Sequence, residues 1–141
     1  GADDAINRQQ EQPAAYVQRL TAGWGFDVVV DTVGGPNLDL SFGAAAPNGR
    51  VVATAARSTH DLSPLHGKGL SLHVVFMLLP MLRDEGREKH GRILRELATL
   101  VEAGKVRPLL DPHRFDLAHA ADAHRHLESG KAVGKVVVEI A

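Results

Sequence analysis

Four apolar runs, each directly preceded by a glycine, constrain this chain more than any other feature. Phe26-Asp27-Val28-Val29-Val30-Asp31 follows Gly25, and Arg50-Val51-Val52-Ala53-Thr54-Ala55 follows Gly49. Leu70-Ser71-Leu72-His73-Val74-Val75-Phe76-Met77 follows Gly69, and Lys135-Val136-Val137-Val138-Glu139-Ile140 follows Gly134. Short β-branched runs bounded by turn residues read as strands. The Val-Val centres are continuous rather than alternating, as in strands covered on both faces. Asp3 to Asn7 reads as a further short strand.

Helical patterns fill the gaps. Pro13 to Leu20 opens on a proline suited to a first turn and sets Ala14, Val17 and Leu20 on one face. Asn37 to Ala46 joins the first two strands. Arg87 to Ala103 carries Ile93, Leu94, Leu97, Leu100 and Val101 at helical spacing, and Gly104 stops it. Ala118 to Ser129 follows Asp116, a candidate N-cap, and ends at Gly130. Met77-Leu78-Leu79-Pro80-Met81 continues apolar past the third run and is expected to be buried, with a substrate-pocket wall as the alternative. Strand and helix alternate, so the expected class is α/β with a parallel sheet.

Composition sets the outer limits. A chain of 141 residues holds one sizeable core. Sixteen basic against seventeen acidic residues leave a net charge of −1, giving no electrostatic footprint for nucleic acid. No apolar run approaches the ~20 residues that span a bilayer. With no cysteine there is neither a disulfide framework nor a thiolate metal site, which fits a reducing compartment and a cytoplasmic expectation. The start, Gly1-Ala2-Asp3-Asp4, has no basic region of a signal peptide and no initiator methionine, so a piece of a longer protein is expected.

The residues that carry chemistry are few. Gly34-Gly35-Pro36 after the first strand either lets a ligand approach the backbone closely or simply turns strand into helix. Eight histidines raise a metal question. His119, His124 and His126 share one predicted helix without i,i+3 or i,i+4 spacing, and His60, His66 and His73 are scattered, so no metal site is assigned. No Ser-His-Asp order, paired catalytic carboxylates or phosphate loop is defensible, and no catalytic residue is assigned. Asp27 and Asp31 stand at i and i+4 on one face of the first strand, with a turn cap the equal alternative for Asp31, and Arg83 to Lys89 reads as a solvated charge run.

In order, Phe26 to Gly35, Ala46 to Val52, His90 to Leu94, Leu100 to Val106, Leu127 to Gly130 and Gly134 to Val138 resemble the medium-chain dehydrogenase/reductase superfamily. Within it they are most similar to the quinone oxidoreductase-like (zeta-crystallin-like) branch. The resemblance implies a partial Rossmann-type parallel sheet flanked by helices, lacking the first two strands and the glycine-rich turn. It makes 1–141 the C-terminal part of a nucleotide-binding domain, with 106–141 returning toward an absent catalytic domain. It further implies the C-terminal portion of an NADP(H)-dependent quinone or enone oxidoreductase, inactive by itself, acting on a small-molecule substrate. The cofactor-binding residues it implies are Val33, Gly34, Gly35, Thr54, Ala55, Ala56, Val74, Val75 and Phe76. Zinc in the parent protein is left open. Ser71 to Met77 is expected to pair across a two-fold axis in a homodimer. A zinc-dependent alcohol dehydrogenase and a non-catalytic dimerisation module remain the alternatives.

Overall fold

Gly25, with φ at +98° and no room for a Cβ beside the Ala45–Ala46 backbone, delivers the chain into the first strand. The structure, a computed structural model, describes residues 1–140. The chain divides into two compact units, Gly1–Asp84 and a second beginning at Glu85.

In the first unit, α1 (Pro13–Thr21) leads into β1 (Phe26–Asp31), α2 (Pro36–Ala44), β2 (Ala45–Ala53), α3 (Ser63–Lys68), β3 (Ser71–Val74) and a single turn, α4 (Leu79–Leu82). The strands form one parallel sheet in the order β1-β2-β3, with Val29 opposite Val51 and Val52 opposite His73. Proline opens all four of these helices in their first turn, where its missing N–H costs nothing. Leu38, Ser41 and Phe42 present one buried face of α2. Leu38 and Phe42 pack with Ala45, Val51 and Ala53 into the core, which Val29, Leu65, Leu70 and Leu72 extend. Lys68 closes the far end of α2, its Nζ donating to the carbonyls of Phe42, Gly43 and Ala45 at 3.3, 2.7 and 2.8 Å. A cation at a helix C-terminus satisfies carbonyls that the helix cannot.

Four expectations fail in this unit. Asp3 to Asn7 forms no strand. The chain offers it no paired neighbour, since β1 bonds only β2. The strands are not covered on both faces: Val28 and Val30 are 52% and 63% exposed, because the helices that bury the sheet sit on the Val29 side. Met77 to Met81 is exposed rather than buried, since no element of this unit packs over it. The strand of 50–55 also begins earlier, at Ala45. Pro47, Asn48 (φ +59°) and Gly49 lie inside it as an irregularity that shifts the β1–β2 register, rather than as a turn before it.

The second unit holds α5 (Arg87–Glu102), β4 (Leu110–Asp116), a 3₁₀ turn (Leu117–His119), α6 (Ala120–Glu128) and β5 (Lys135–Glu139). Strands β4 and β5 pair in parallel, and α6 packs on both. Asp116 is the cap expected of it, its Oδ1 accepting from His119 N at 2.9 Å, although one 3₁₀ turn intervenes before α6. Helix α5 forms where the periodicity predicts it, and none of its residues is buried. Strand β4 has no counterpart in the sequence reading.

Candidate functional site

The carboxyl ends of parallel strands share one edge of a sheet, so the residues just beyond them converge. Beyond β1, β2 and β3 they enclose a cleft of about 640 Å³ lined by Gly35, Thr54, Ala55, Ala56, Arg57, Val74, Val75 and Phe76. Seven of the nine residues singled out by the family resemblance meet there. The other two stand in the adjoining turn: Val33 is exposed, and Gly34 packs against the next strand end. Alanine and valine make most of the lining apolar, with the Thr54 hydroxyl and the Arg57 guanidinium as its polar members. Arg57 was not anticipated, because a lone arginine in a loop carries no pattern.

Two backbone bonds hold the cleft's floor together. Thr54 N donates to Asp31 O at 3.0 Å and Val75 N to Ala53 O at 2.8 Å, carrying both ladders one residue past the strands. Gly34 is needed at this junction: a Cβ there would lie 1.9 Å from the Ala55 carbonyl oxygen, and its φ is +72°. Beneath the turn sits Asp31, 2% exposed. Its Oδ1 accepts from Val33 N and Gly34 N, both at 2.8 Å, and its Oδ2 from Ser41 Oγ at 3.0 Å. Burial pushes this carboxyl upward, but bonds from Gly34, Val33, Asn37 and Ser41 outweigh it and hold the group below the ordinary carboxylate range. Asp31 is thus the turn cap that the sequence suggested, fixing the Gly34–Gly35 turn against the cleft.

One arrangement runs against the sequence reading. Ser58 Oγ lies 2.6 Å from His60 Nε2, and His60 Nδ1 lies 2.8 Å from Asp39 Oδ1. The Ser-His-Asp order is formed across α2 and the loop after β2, two segments that a linear motif does not join. Phe42 meets the His60 ring edge-on, centroids 6.0 Å apart. Neither Ser58 nor His60 lines the cleft, and the Asp39 carboxylate is half exposed. The contacts tie the loop of residues 54–62 to α2.

The three histidines expected on one helix, His119, His124 and His126, do not gather, and His119 falls in the 3₁₀ turn before α6. His119 instead pairs with Asp116 at 2.7 Å, and that hydrogen bond raises its pKa above the usual histidine value. His126 meets Asp111 and His113 from β4, a grouping hidden from the sequence because β4 itself was.

The family described as Zinc-binding dehydrogenase matches residues 1–138, and the chain belongs to it, within the medium-chain dehydrogenases/reductases. A highly reducing polyketide synthase of Emericella nidulans is 30% identical over 142 residues, which is 99% of this chain and 6% of that one. Among solved structures, an alcohol dehydrogenase superfamily protein from Novosphingobium aromaticivorans superposes with a TM-score of 0.84 at 38% identity, covering 94% of this chain and 41% of that chain. The CurK enoyl reductase matches at a TM-score of 0.67 and 27% identity, covering 91% and 38%. The chain therefore spans about two fifths of the solved relatives and a small part of the synthase. The zinc of the family's description has no ligand set in the cleft, whose lining holds no Cys, His, Asp or Glu.

Proposed function

We propose that the cleft receives the nicotinamide end of NADP(H), and that this chain is the C-terminal part of a reductase acting on a quinone or an electron-poor alkene. The observation carrying this reading is the cleft: a cavity of ligand size at the carboxyl edge of a parallel sheet, walled by small residues and one aromatic ring. Relatives described as an alcohol dehydrogenase superfamily protein and an enoyl reductase support it. The bound cofactor would supply a hydride.

The chain's own part is positional. Gly35, Ala55 and Ala56 leave room for a flat ring to approach the strand ends, and Val74 and Phe76 exclude water from one side. The Val75 N–H and the Phe76 carbonyl are already taken, by Ala53 O and Leu79 N. A carboxamide is met by the remaining main-chain groups of that segment. No side chain of the cleft is a proton donor of suitable pKa, so protonation of the reduced substrate falls to solvent or to residues outside this chain. On the same reading, 106–141 is the return toward a catalytic domain, the molecule works as a homodimer through the β3 edge, and it resides in the cytoplasm. No helix among the described residues is long and apolar enough to cross a membrane.

The test is steady-state kinetics of the full-length reductase carrying Phe76→Ala. The ring is 50% exposed, so its removal leaves the fold intact. A KM for NADPH raised several-fold, or a turnover lowered to match, is expected with a quinone or enone as acceptor. Unchanged kinetics in the folded variant removes the wall role. Zinc-dependent oxidation of an alcohol, with no quinone or enone reduction, replaces the substrate class.

A further inference from the structure

Asp111, His113 and His126 form a cluster within the second unit. Asp111 and His113 stand two apart in the irregular first half of β4, and His126 reaches them from α6. The three side chains each bring one ligand atom to within 4.8 Å of the others. We propose that these three residues form a binding site for a divalent transition-metal ion of the zinc, cobalt and nickel kind.

The distances accommodate an ion among the three side chains. His126 Nε2 lies 3.1 Å from Asp111 Oδ2, yet it is shielded from solvent and has no hydrogen-bond partner of acceptable geometry. A buried imidazole nitrogen without a partner is costly in a finished structure. Two ligands bound at about 2.0–2.1 Å to one tetrahedral ion stand about 3.3 Å apart, close to this separation. His113 Nδ1 lies in hydrogen-bond contact with the carboxylate's other oxygen, 2.8 Å from Oδ1, a contact that an ion would replace. The His113 and His126 rings approach with centroids 4.4 Å apart and planes inclined at 45°, converging on the carboxylate.

The carboxylate is also oriented as a ligand should be. His113 N donates to Oδ1 at 2.9 Å and Val133 N to Oδ2 at 2.8 Å. These bonds fix its plane and leave each oxygen a further lone pair. Two imidazoles and one carboxylate are a borderline N/O set, suited to zinc, cobalt or nickel and poor for calcium or magnesium. His113 is 63% exposed, giving the ion a route in and open positions for water. An ion here would fasten α6 to β4.

The test is titration of the 141-residue chain with Co²⁺, followed by visible absorption, with folding checked by circular dichroism. One equivalent should bind with a d–d spectrum of nitrogen and oxygen ligation and be displaced by Zn²⁺. His113→Ala and His126→Ala should each weaken binding more than tenfold. His124→Ala, on the same helix and outside the cluster, should change it less than twofold. His113 is half solvated, so its variant folds even if the His126 variant does not. Absence of a one-equivalent complex overturns the proposal. So does binding that survives His113→Ala, or binding that His124→Ala abolishes.

Discussion

Asp31 shows how much one side chain can settle. Its two oxygens accept from Val33 N, Gly34 N and Ser41 Oγ, with Asn37 a further donor, in a nearly solvent-free place, and the two amides set the Gly34–Gly35 turn that borders the cleft. Asp31→Ala leaves two amides and the Ser41 hydroxyl without a partner, at an expected cost of about 2–4 kcal/mol. Trp24 is the chain's one tryptophan and belongs to the first unit, so its fluorescence under urea reads this loss directly. The pH dependence has a definite sign. The folded carboxyl is held low, so its contribution is complete above the unfolded value of about 3.9 and is lost as pH falls through the lower folded value. The urea midpoint should therefore drop on acidification from about pH 5 toward pH 3, and Asp31→Asn should flatten that drop. A variant with the same slope would show that other carboxylates carry it. The cap was one of two readings that the sequence allowed for Asp31, and the Gly34–Gly35 turn decides between them. Arg57 and the Asp39–His60–Ser58 contacts were not, since they depend on where a loop folds back.

At the scale of elements, glycine-bounded β-branched runs mark strands wherever they fall, and the four runs read as strands all became strands. Their burial was not legible. A continuous apolar run states that both faces could be covered, and only neighbours decide whether they are. Strand β4 was invisible for the opposite reason: Leu110-Asp111-Pro112-His113-Arg114-Phe115-Asp116 has no β pattern and is held extended by pairing with β5. The β3 edge carries the assembly prediction. Ser71–Val74 is paired with β2 alone, leaving one backbone row open beside exposed Val74 and Phe76. From sequence, a proline at Val75 would be the natural probe, but Val75 N–H bonds inward to Ala53 O. Backbone groups alternate sides along a strand, so the outward donor is that of Val74. Val74→Pro should block edge pairing while sparing the β2–β3 ladder. Light scattering at high micromolar concentration is expected to give a dimer for the parent chain and a monomer for the variant. A strictly monomeric parent chain ends the edge-pairing idea.

For the whole molecule, the question is how much of a dinucleotide this chain could hold by itself. Affinity for such a ligand comes from both ends and from the pyrophosphate between them, which rests on a helix N-terminus after a glycine-rich turn. The 141 residues contain no G-x-G-x-x-G, and the cleft of about 640 Å³ is bordered by one turn, Val33 to Gly35, and two strand ends. It offers a flat apolar floor to a ring and one cation, Arg57, for everything beyond it. The expected dissociation constant of NADPH for this chain is therefore weaker than about 100 μM, corresponding to less than ~5.5 kcal/mol. Reduced nicotinamide mononucleotide should bind as weakly as NADPH, because the adenosine half meets nothing here that would reward it. Calorimetry with both ligands separates the possibilities. NADPH binding tighter than 100 μM, or clearly tighter than the mononucleotide, would mean that these residues grip the phosphates by a route the glycine-rich turn does not provide.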